Sequence, residues 1–169
     1  MIFVTVGAQM PFDRLVGWAD HWAEATGRDD VLAQIGSSQL QPRRLKVVPF
    51  MDPRTFRARV EEADGVVAHA GMGTIITVLE VGRPLLVVPR LGALDETRND
   101  HQLTTARRLE QEQLVLAAYD REEFFARMEG LEHGSRLPRI AGRAGEPLLR
   151  RLRDFVAGPP GRGSPGAGP

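Results

Sequence analysis

A glycine-rich segment in the middle of the chain is the strongest chemical signal in the sequence. It reads His69-Ala70-Gly71-Met72-Gly73-Thr74 and stands between a short apolar run and a longer helical pattern. Glycines let the backbone approach an anion closely, and the first turn of a helix presents unpaired N–H groups with a partial positive charge. The segment therefore predicts a cradle for a phosphate or diphosphate. Thr74 either caps the helix or donates its hydroxyl to the same anion. A tight strand–helix turn without a ligand is the alternative.

A single glutamate interrupts the apolar helical pattern that follows. Glu80 lies six residues beyond Thr74, which is about 9 Å along a helix at roughly 1.5 Å per residue. That distance suits a carboxylate that binds ribose hydroxyls while a diphosphate lies at the start of the helix. A surface glutamate is the alternative, because most helical glutamates face water.

A third polar cluster, Asn99-Asp100-His101-Gln102, follows the loop Arg90–Arg98. Asn99 or Asp100 can cap the next helix, which places His101 and Gln102 in its first turn. Both are hydrogen-bonding side chains suited to sugar hydroxyls. Ordinary helix capping with exposed polar residues explains the cluster equally well at this point.

Short apolar runs alternate with helical patterns, and this alternation predicts where the three clusters lie. The predicted strands are Ile2–Val6, Val31–Ile35, Leu45–Pro49, Val66–Ala68, Leu85–Val88 and Leu114–Ala117. The predicted helices are Phe12–Thr26, Pro53–Ala63 with Asp52 as N-cap, Thr74–Val81, Asn99–Gln111, Arg121–Met128 and Glu146–Val156. The pattern indicates an α/β fold, a single Rossmann-like domain with a parallel sheet of about six strands. In such sheets ligands bind at the carboxyl ends of the strands.

We expect this domain to span residues 1–156 and a disordered tail rich in Gly and Pro to occupy 157–169, because the tail has too few apolar residues to form a core. The opening segment Met1–Gly7 is too short and lacks the basic residues of a signal peptide. No stretch approaches the roughly 18 apolar residues that a membrane span needs. We therefore expect a cytoplasmic protein.

Composition excludes several classes of protein. Acidic and basic residues balance at 22 each, so no basic surplus indicates nucleic acid as a partner. The absence of cysteine excludes disulfides, cysteine-based zinc sites and thiol nucleophiles. The four histidines show no metal-binding spacing, and we expect no metal. The dinucleotide fingerprint, the P-loop and the serine elbow of acyl-transfer enzymes are also missing.

The three clusters, taken in order, resemble the C-terminal domain of family 28 glycosyltransferases. The opening of the chain is closer to one branch, the small soluble donor-binding subunit of split two-subunit UDP-sugar transferases that act in lipid-linked oligosaccharide or bacterial exopolysaccharide synthesis. The segments that carry the similarity are Val4–Gly7, Phe12–Leu15, Gln34–Ser38, His69–Thr74, Thr77–Pro84 and Asp100–Gln102, and it extends over about Met1–Asp120.

The resemblance implies a role for each matching residue. The fold would be the C-terminal half of a GT-B glycosyltransferase, with a UDP-sugar as substrate and no cofactor. Gly71, Met72, Gly73 and Thr74 would hold the diphosphate, Glu80 the ribose, and His101 and Gln102 the donor sugar. The backbone of Met51 would read uracil, and His69 would touch the diphosphate or the sugar. Gly7 and its loop would face the cleft and approach the diphosphate or the acceptor.

The resemblance also implies an activity and a partner. The chain would take part in inverting transfer of a hexose-type sugar, N-acetylglucosamine or glucuronic acid, from a UDP-sugar to a lipid-linked saccharide acceptor. A GT-B active site lies between two Rossmann-like domains, so a membrane-associated acceptor-binding subunit would supply the second domain and the general base, and would hold the chain at the cytoplasmic face of the membrane. A non-catalytic UDP-sugar-binding module for regulation or scaffolding is the alternative. A dinucleotide-binding oxidoreductase domain is a third reading, disfavoured by the missing fingerprint.

Overall fold

Six parallel strands form the sheet on which the site is built. The computed structural model describes residues 1–132, so the predicted helix at Glu146–Val156 and the tail at 157–169 lie outside the described residues. The strands are β1 (Ile2–Thr5), β2 (Val31–Gln34), β3 (Lys46–Val48), β4 (Gly65–His69), β5 (Leu85–Val88) and β6 (Leu116–Ala117). Their order in the sheet is β3-β2-β1-β4-β5-β6, and every neighbouring pair is parallel. The predicted Rossmann-like sheet is confirmed.

The central strands are apolar except where β1 ends at Thr5 and β4 ends at His69, because both faces of the sheet are covered. In β4, for example, the neighbouring residues Val66 and Val67 are both fully buried and belong to the two opposite core clusters. A strand with one face in water would alternate apolar and polar residues instead. The uninterrupted apolar runs in the sequence were therefore the correct signal for a covered parallel sheet.

Five helices within residues 1–132 cover the two faces. They are α1 (Asp13–Thr26), α2 (Pro53–Glu62), α3 (Met72–Val81), α4 (His101–Gln111) and α5 (Arg121–Glu132). Trp22 of α1 and Phe124 of α5 pack into the core on one face. Val60 of α2, Ile75 of α3 and Leu109 of α4 pack on the other. In the part of the chain described here, no helix combines the length and the apolar composition that crossing a bilayer requires.

The beginnings of the helices confirm one sequence prediction and correct another. Asp52 caps α2 as predicted, accepting hydrogen bonds from the backbone N–H groups of Arg54 and Thr55. Helix α3, however, begins at Met72 rather than Thr74, with Gly71 as its N-cap. The helix begins two residues earlier because Gly71 N–H bonds to His69 O and Gly71 O accepts the first helical bond from Ile75. The prediction that Thr74 caps this helix is wrong, since it lies within the first turn.

Helix α4 also begins later than predicted, at His101 instead of Asn99. Asp100 is the N-cap residue, but its side chain makes no capping bond. Its carboxylate instead accepts a hydrogen bond from the backbone N–H of Gly92, at 2.8 Å. Gly92 begins a short 3₁₀ helix, Gly92–Leu94, inside the loop between β5 and α4. The aspartate therefore stabilises that loop rather than the helix.

The strand order creates a crevice between β1 and β4. From β1 the chain continues outward to β2 and β3, whereas from β4 it continues outward in the opposite direction to β5 and β6. The loops that leave β1 and β4 consequently diverge at the carboxyl end of the sheet. Open α/β sheets bind ligands at such a point.

Candidate functional site

A cleft of about 380 Å³ opens at this divergence. The loop after β1, the turn between β4 and α3, and the loop between β5 and α4 form its walls. The lining residues are Val6, Gly7, Ala8, Gln9, Met10, His69, Gly71, Met72, Gly73, Thr74, Arg90, Glu96, Thr97 and Gln102. The glycine-rich segment His69–Thr74 thus forms one wall of a cleft at the switch point of the sheet, where the loops after β1 and β4 diverge.

The structure brings most of the predicted site residues together at this cleft, although it does not test what they bind. The predicted residues that line it are Gly7, His69, Gly71, Met72, Gly73, Thr74 and Gln102. Met51, Glu80 and His101 do not line it. Their predicted contacts with uracil, ribose and sugar stay predictions.

His69 lies between two glycines that leave room for its ring. A Cβ atom built on Gly7 would lie 2.5 Å from His69 Cε1, and one built on Gly71 would overlap His69 Nε2. Gly7 also has a φ of +78°, which glycine adopts readily and other residues rarely do. These two glycines are therefore needed to seat the histidine as well as to form the turns.

The imidazole of His69 is held in its neutral form. Burial is the main cause that lowers the pKa of His69 from 6.5 to about 4, and the positive charge of Arg90 adds to it, against a smaller opposing effect of the Thr5 backbone. Its Nδ1 atom is buried and has no hydrogen-bond partner within residues 1–132. The cleft therefore contains a histidine that carries no charge at neutral pH.

The first turn of α3 contributes unpaired backbone N–H groups to the cleft. Met72, Gly73 and Thr74 occupy this turn with Gly71 as N-cap, and all four line the cleft, although the N–H of Gly71 is already bonded to His69 O. The first N–H groups of a helix have no partner inside the helix, and the helix dipole places a partial positive charge of roughly +0.5 there. A Cβ atom on Gly73 would meet nothing within 4 Å. This turn can accept an anion closely.

Glu80 lies farther along α3 and has a protein partner. One of its oxygens lies 3.4 Å from Arg57 on the neighbouring helix α2, and its side chain is 35% exposed. Arg57 also pairs with Glu61, at 3.1 Å. Glu80 is accessible, but a sugar hydroxyl would have to share its carboxylate with Arg57.

The remaining predicted residues have distinct environments. Gln102 uses its side-chain carbonyl oxygen to accept the backbone N–H of Arg90 at 3.2 Å, so its amide nitrogen is the group that can donate to a ligand. His101 is exposed at the start of α4. Met51 is half-buried and packs against the core beneath α2, α3 and α4.

Sequence reasoning missed Arg90, which lines the cleft and is only 4% exposed. Its guanidinium donates to backbone carbonyl oxygens of the loop after β1 and lies 4.6 Å from the centroid of the Phe12 ring. A charged residue two positions beyond a buried strand was the available signal. Its partners lie 79 to 84 positions away in the sequence, so no local pattern could identify them.

Glu96 was missed as well, because no motif marks it and its partner Arg14 lies 82 positions away in the sequence. Its carboxylate receives two hydrogen bonds from Arg14, at 2.7 and 2.8 Å, and one from the backbone N–H of Leu91 at 2.9 Å. Arg14 also donates to Pro89 O. This ion pair joins α1 to the loop between β5 and α4, and it shapes the wall of the cleft opposite α3.

Among residues 1–132, no group of three or more His, Cys, Asp or Glu side chains is arranged to hold a metal.

Comparisons with known proteins agree with the family resemblance. The model of the glycosyltransferase family 28 C-terminal domain matches residues 1–130. The UDP-N-acetylglucosamine transferase subunit ALG13 of Homo sapiens is 31% identical over 121 residues, which is 66% of this chain and 10% of that protein. The protein of the same name from Mus musculus is 31% identical over 120 residues, 65% of this chain and 10% of its own length. The chain thus spans about a tenth of the length of these curated relatives.

Solved structures share the fold. The crystal structure of the glycotransferase of kitacinnamycin matches with a TM-score of 0.63 at 21% identity, covering 90% of this chain and 39% of that one. The solution structure of ALG13 matches with a TM-score of 0.60 at 20% identity, covering 90% and 94%. Os79 from O. sativa in complex with UDP matches with a TM-score of 0.57 at 17% identity, covering 92% and 40%.

Proposed function

The chain belongs to the glycosyltransferase family 28 C-terminal domains, and on this premise we propose that it is the donor-binding subunit of a UDP-sugar glycosyltransferase. The observation that carries the proposal is the cleft at the switch point, where the glycine turn and the start of α3 lie opposite the loop after β1. Its walls combine an anion-binding helix terminus with hydrogen-bonding side chains. Those are the features that a nucleotide-sugar requires.

In this proposal the first turn of α3 binds the diphosphate. The backbone N–H groups and the partial charge of the helix favour an anion there, and Gly73 leaves the space open. The same groups would stabilise the negative charge that develops on UDP as the bond to the sugar breaks. A neutral His69 beside them can exchange hydrogen bonds with the diphosphate or the sugar without adding charge. No cofactor is needed, since the UDP-sugar is the substrate.

The uracil base and the donor sugar of the UDP-sugar would lie on either side of the diphosphate. The amide of Gln102 and the imidazole of His101 are assigned to the donor sugar, and the backbone of Met51 to uracil. Glu80 is assigned to the ribose. Of these assignments, Glu80 has the least support from geometry, because its carboxylate lies outside the cleft lining and pairs with Arg57.

The proposed reaction is inverting transfer of a hexose-type sugar to a lipid-linked saccharide. The relatives are named as a subunit of a UDP-N-acetylglucosamine transferase, which favours N-acetylglucosamine, with glucuronic acid as the second candidate. We assign acceptor binding and the general base to a membrane-associated partner subunit, which would hold this chain at the cytoplasmic face of the membrane. The co-expressed pair should transfer sugar, whereas a regulatory or scaffold module would bind UDP-sugar without turnover.

Thermal unfolding of the chain with UDP, UDP-N-acetylglucosamine, UDP-glucuronic acid and NAD tests the donor site. A ligand that binds only the folded state stabilises it by about 2.7 kcal/mol at a hundredfold excess over its dissociation constant. We expect the midpoint to rise with UDP and with one UDP-sugar, and to stay unchanged with NAD. A rise with NAD alone would overturn the proposal in favour of a dinucleotide-binding domain.

The substitution Glu80→Ala tests the ribose assignment separately. We expect a weaker affinity for UDP, measured by calorimetry, because the carboxylate would no longer accept hydrogen bonds from the ribose. Glu61→Ala is the matched control, since it also removes a carboxylate from Arg57 but lies on helix α2. Equal UDP affinities for wild type and Glu80→Ala would remove Glu80 from the site and leave the diphosphate assignment intact.

A further inference from the structure

Arg90 is a buried cation whose hydrogen bonds join two of the loops that line the cleft. It follows β5 by two residues and is 4% exposed. The guanidinium donates to four backbone carbonyl oxygens, those of Val6 at 2.9 Å, Met10 at 2.6 Å, Pro11 at 2.6 Å and Glu96 at 3.2 Å. Three of these carbonyls belong to the loop after β1 and the fourth to the loop after β5. One side chain therefore sets the separation of the two loops.

We propose that Arg90 is a positioning residue for the donor site, which holds the loop of residues 6–12 in the conformation that receives the diphosphate of the nucleotide-sugar. This inference rests on the proposed function. It assigns to Arg90 a role that acts through the loop.

The charge of Arg90 supports this role. Carbonyl oxygens carry a partial negative charge and would repel a diphosphate if they faced the cleft. Arg90 engages the carbonyl oxygens of Val6, Met10 and Pro11 and at the same time keeps a positive charge in the wall of the cleft. Burial lowers the pKa of the Arg90 guanidinium from its usual value, so keeping a cation here is unfavourable for folding. An apolar residue would fill the same space but would leave the four carbonyl oxygens without their donor, so the guanidinium itself is needed to hold the loop.

The neighbours of Arg90 keep it in place. Gln102 accepts the Arg90 backbone N–H at 3.2 Å, and the Phe12 ring lies 4.6 Å from the guanidinium carbon. The Glu96 carboxylate, whose negative charge raises the pKa of Arg90 against the larger effect of burial, is itself hydrogen-bonded to Arg14. Arg90 is thus balanced chiefly by backbone carbonyls, which makes the position of the loop depend on this one side chain.

Arg90 also acts on His69 across the cleft. Its charge is the second cause, after burial, of the lowered pKa of that imidazole. Removing the charge of Arg90 should therefore raise the pKa of His69. If Arg90 acted only by filling space, the same substitution would leave that pKa unchanged. This gives a readout that does not depend on ligand binding.

Two substitutions separate the charge of Arg90 from its geometry. Arg90→Met removes the charge, and Arg90→Lys keeps it but cannot reach all four carbonyls. For each variant, UDP affinity is measured by calorimetry, amide exchange of residues 7–10 by mass spectrometry, and the pKa of His69 by NMR. Arg83→Met is the control, because Arg83 lies just before β5 at the other end of the strand and donates to Glu61 O far from the cleft.

We expect both Arg90 variants to bind UDP at least tenfold more weakly and to exchange the amides of residues 7–10 at least tenfold faster. The pKa of His69 should rise in Arg90→Met only, and the control should match wild type within twofold. If Arg90→Met does not fold, the UDP affinity and the amide exchange of Arg90→Lys decide the test. Variants that bind UDP within twofold of wild type would overturn this inference alone. A wild-type chain that binds neither UDP nor any UDP-sugar would instead overturn the proposed function on which it rests.

Discussion

Gly71 and Gly73 stand two positions apart in the same turn, but the structure gives each a different reason to be glycine. A side chain on Gly71 would collide with His69, so this glycine is required by the protein itself. A side chain on Gly73 would meet nothing within 4 Å, so no packing constraint explains it. At Gly73 the explanation offered by the proposed function is the close approach of a ligand to the backbone.

Gly73→Ala should therefore weaken UDP binding without lowering stability. Alanine is favoured over glycine in a helix by up to about 1 kcal/mol, so the free energy of unfolding in urea should stay level or rise. Calorimetry with UDP should show a loss of affinity of tenfold or more. Unchanged affinity would mean that the diphosphate does not approach this part of α3.

Gly71→Ala should instead destabilise the fold, by about 1–3 kcal/mol for an overpacked site, because the new methyl group overlaps His69. The double variant with His69→Ala removes the obstacle and should recover most of that loss. Urea unfolding of the two single variants and the double variant measures the coupling between the positions. Additive effects would show that the two side chains do not collide.

The low pKa of His69 predicts a specific loss of stability in weak acid. The folded-state pKa of about 4 lies below the unfolded value of 6.5, so between these values the unfolded state binds more protons. The stabilisation is fully present above pH 6.5 and is lost as the pH falls towards 4, by about 2 kcal/mol between pH 7 and pH 5. Urea unfolding at both pH values should show this loss in wild type and a smaller one in His69→Gln. Equal losses would assign the acid sensitivity to other groups.

At the scale of elements, the position of helix α5 depends on a close contact that no sequence pattern indicates. Gly65 begins β4, and a Cβ atom built on it would lie 2.8 Å from Leu131 Cγ in α5. The absence of a side chain at Gly65 lets the end of α5 approach the sheet closely. Helix α5 in turn buries Phe124 and Met128 against the same face.

Gly65→Ala should displace the end of α5 and reduce the free energy of unfolding by about 1–3 kcal/mol through overpacking. Shortening the opposing side chain in the Gly65→Ala/Leu131→Ala variant should make the added methyl group harmless. The two effects should consequently be less than additive in urea unfolding. UDP affinity should not change, because this contact lies at the opposite end of β4 from the cleft. A change in affinity would indicate that α5 influences the site.

At the scale of the whole molecule, the cleft depends on both halves of the sheet. The loop after β1 begins the half that continues to β2 and β3, and the turn after β4 begins the half that continues to β5 and β6. The half containing β3 is less covered: no helix connects β2 to β3, and Val47 of β3 is 43% exposed. A ligand in the cleft would contact loops from both halves and should link those loops.

Hydrogen exchange with and without UDP tests this link. Amides at residues 7–10, 71–74 and 97–102 should be protected together when UDP binds, because these segments come from the three walls of the cleft. The segment 36–44 between β2 and β3 should exchange at the same rate in both conditions and serves as the internal reference. Protection confined to one wall would contradict a ligand that spans the switch point.

The sequence alone determined the class of fold, the order of its elements and the place of the cleft. Continuous apolar runs such as Leu85–Val88 can be satisfied only where both faces of a strand are covered, and the alternation with helices implies parallel crossovers. The glycine-rich segment after β4 was then placed at the carboxyl end of the sheet by topology. These conclusions follow from local patterns, which is why they could be read without coordinates.

Tertiary structure decided which residues line the cleft together, which partners they have and whether they are charged. The hydrogen bonds from Arg90 to the loop after β1 join residues that are 79 to 84 positions apart in the sequence. The Arg57 partner of Glu80 lies on another helix. The neutral state of His69 comes from burial and from the charge of Arg90. Local propensity also misplaced the start of α3, since a turn bond between Gly71 and His69 outweighed the capping preference of threonine. The contacts of Arg90, the partner of Glu80 and the state of His69 depend on through-space distances, which the packing of the whole domain sets.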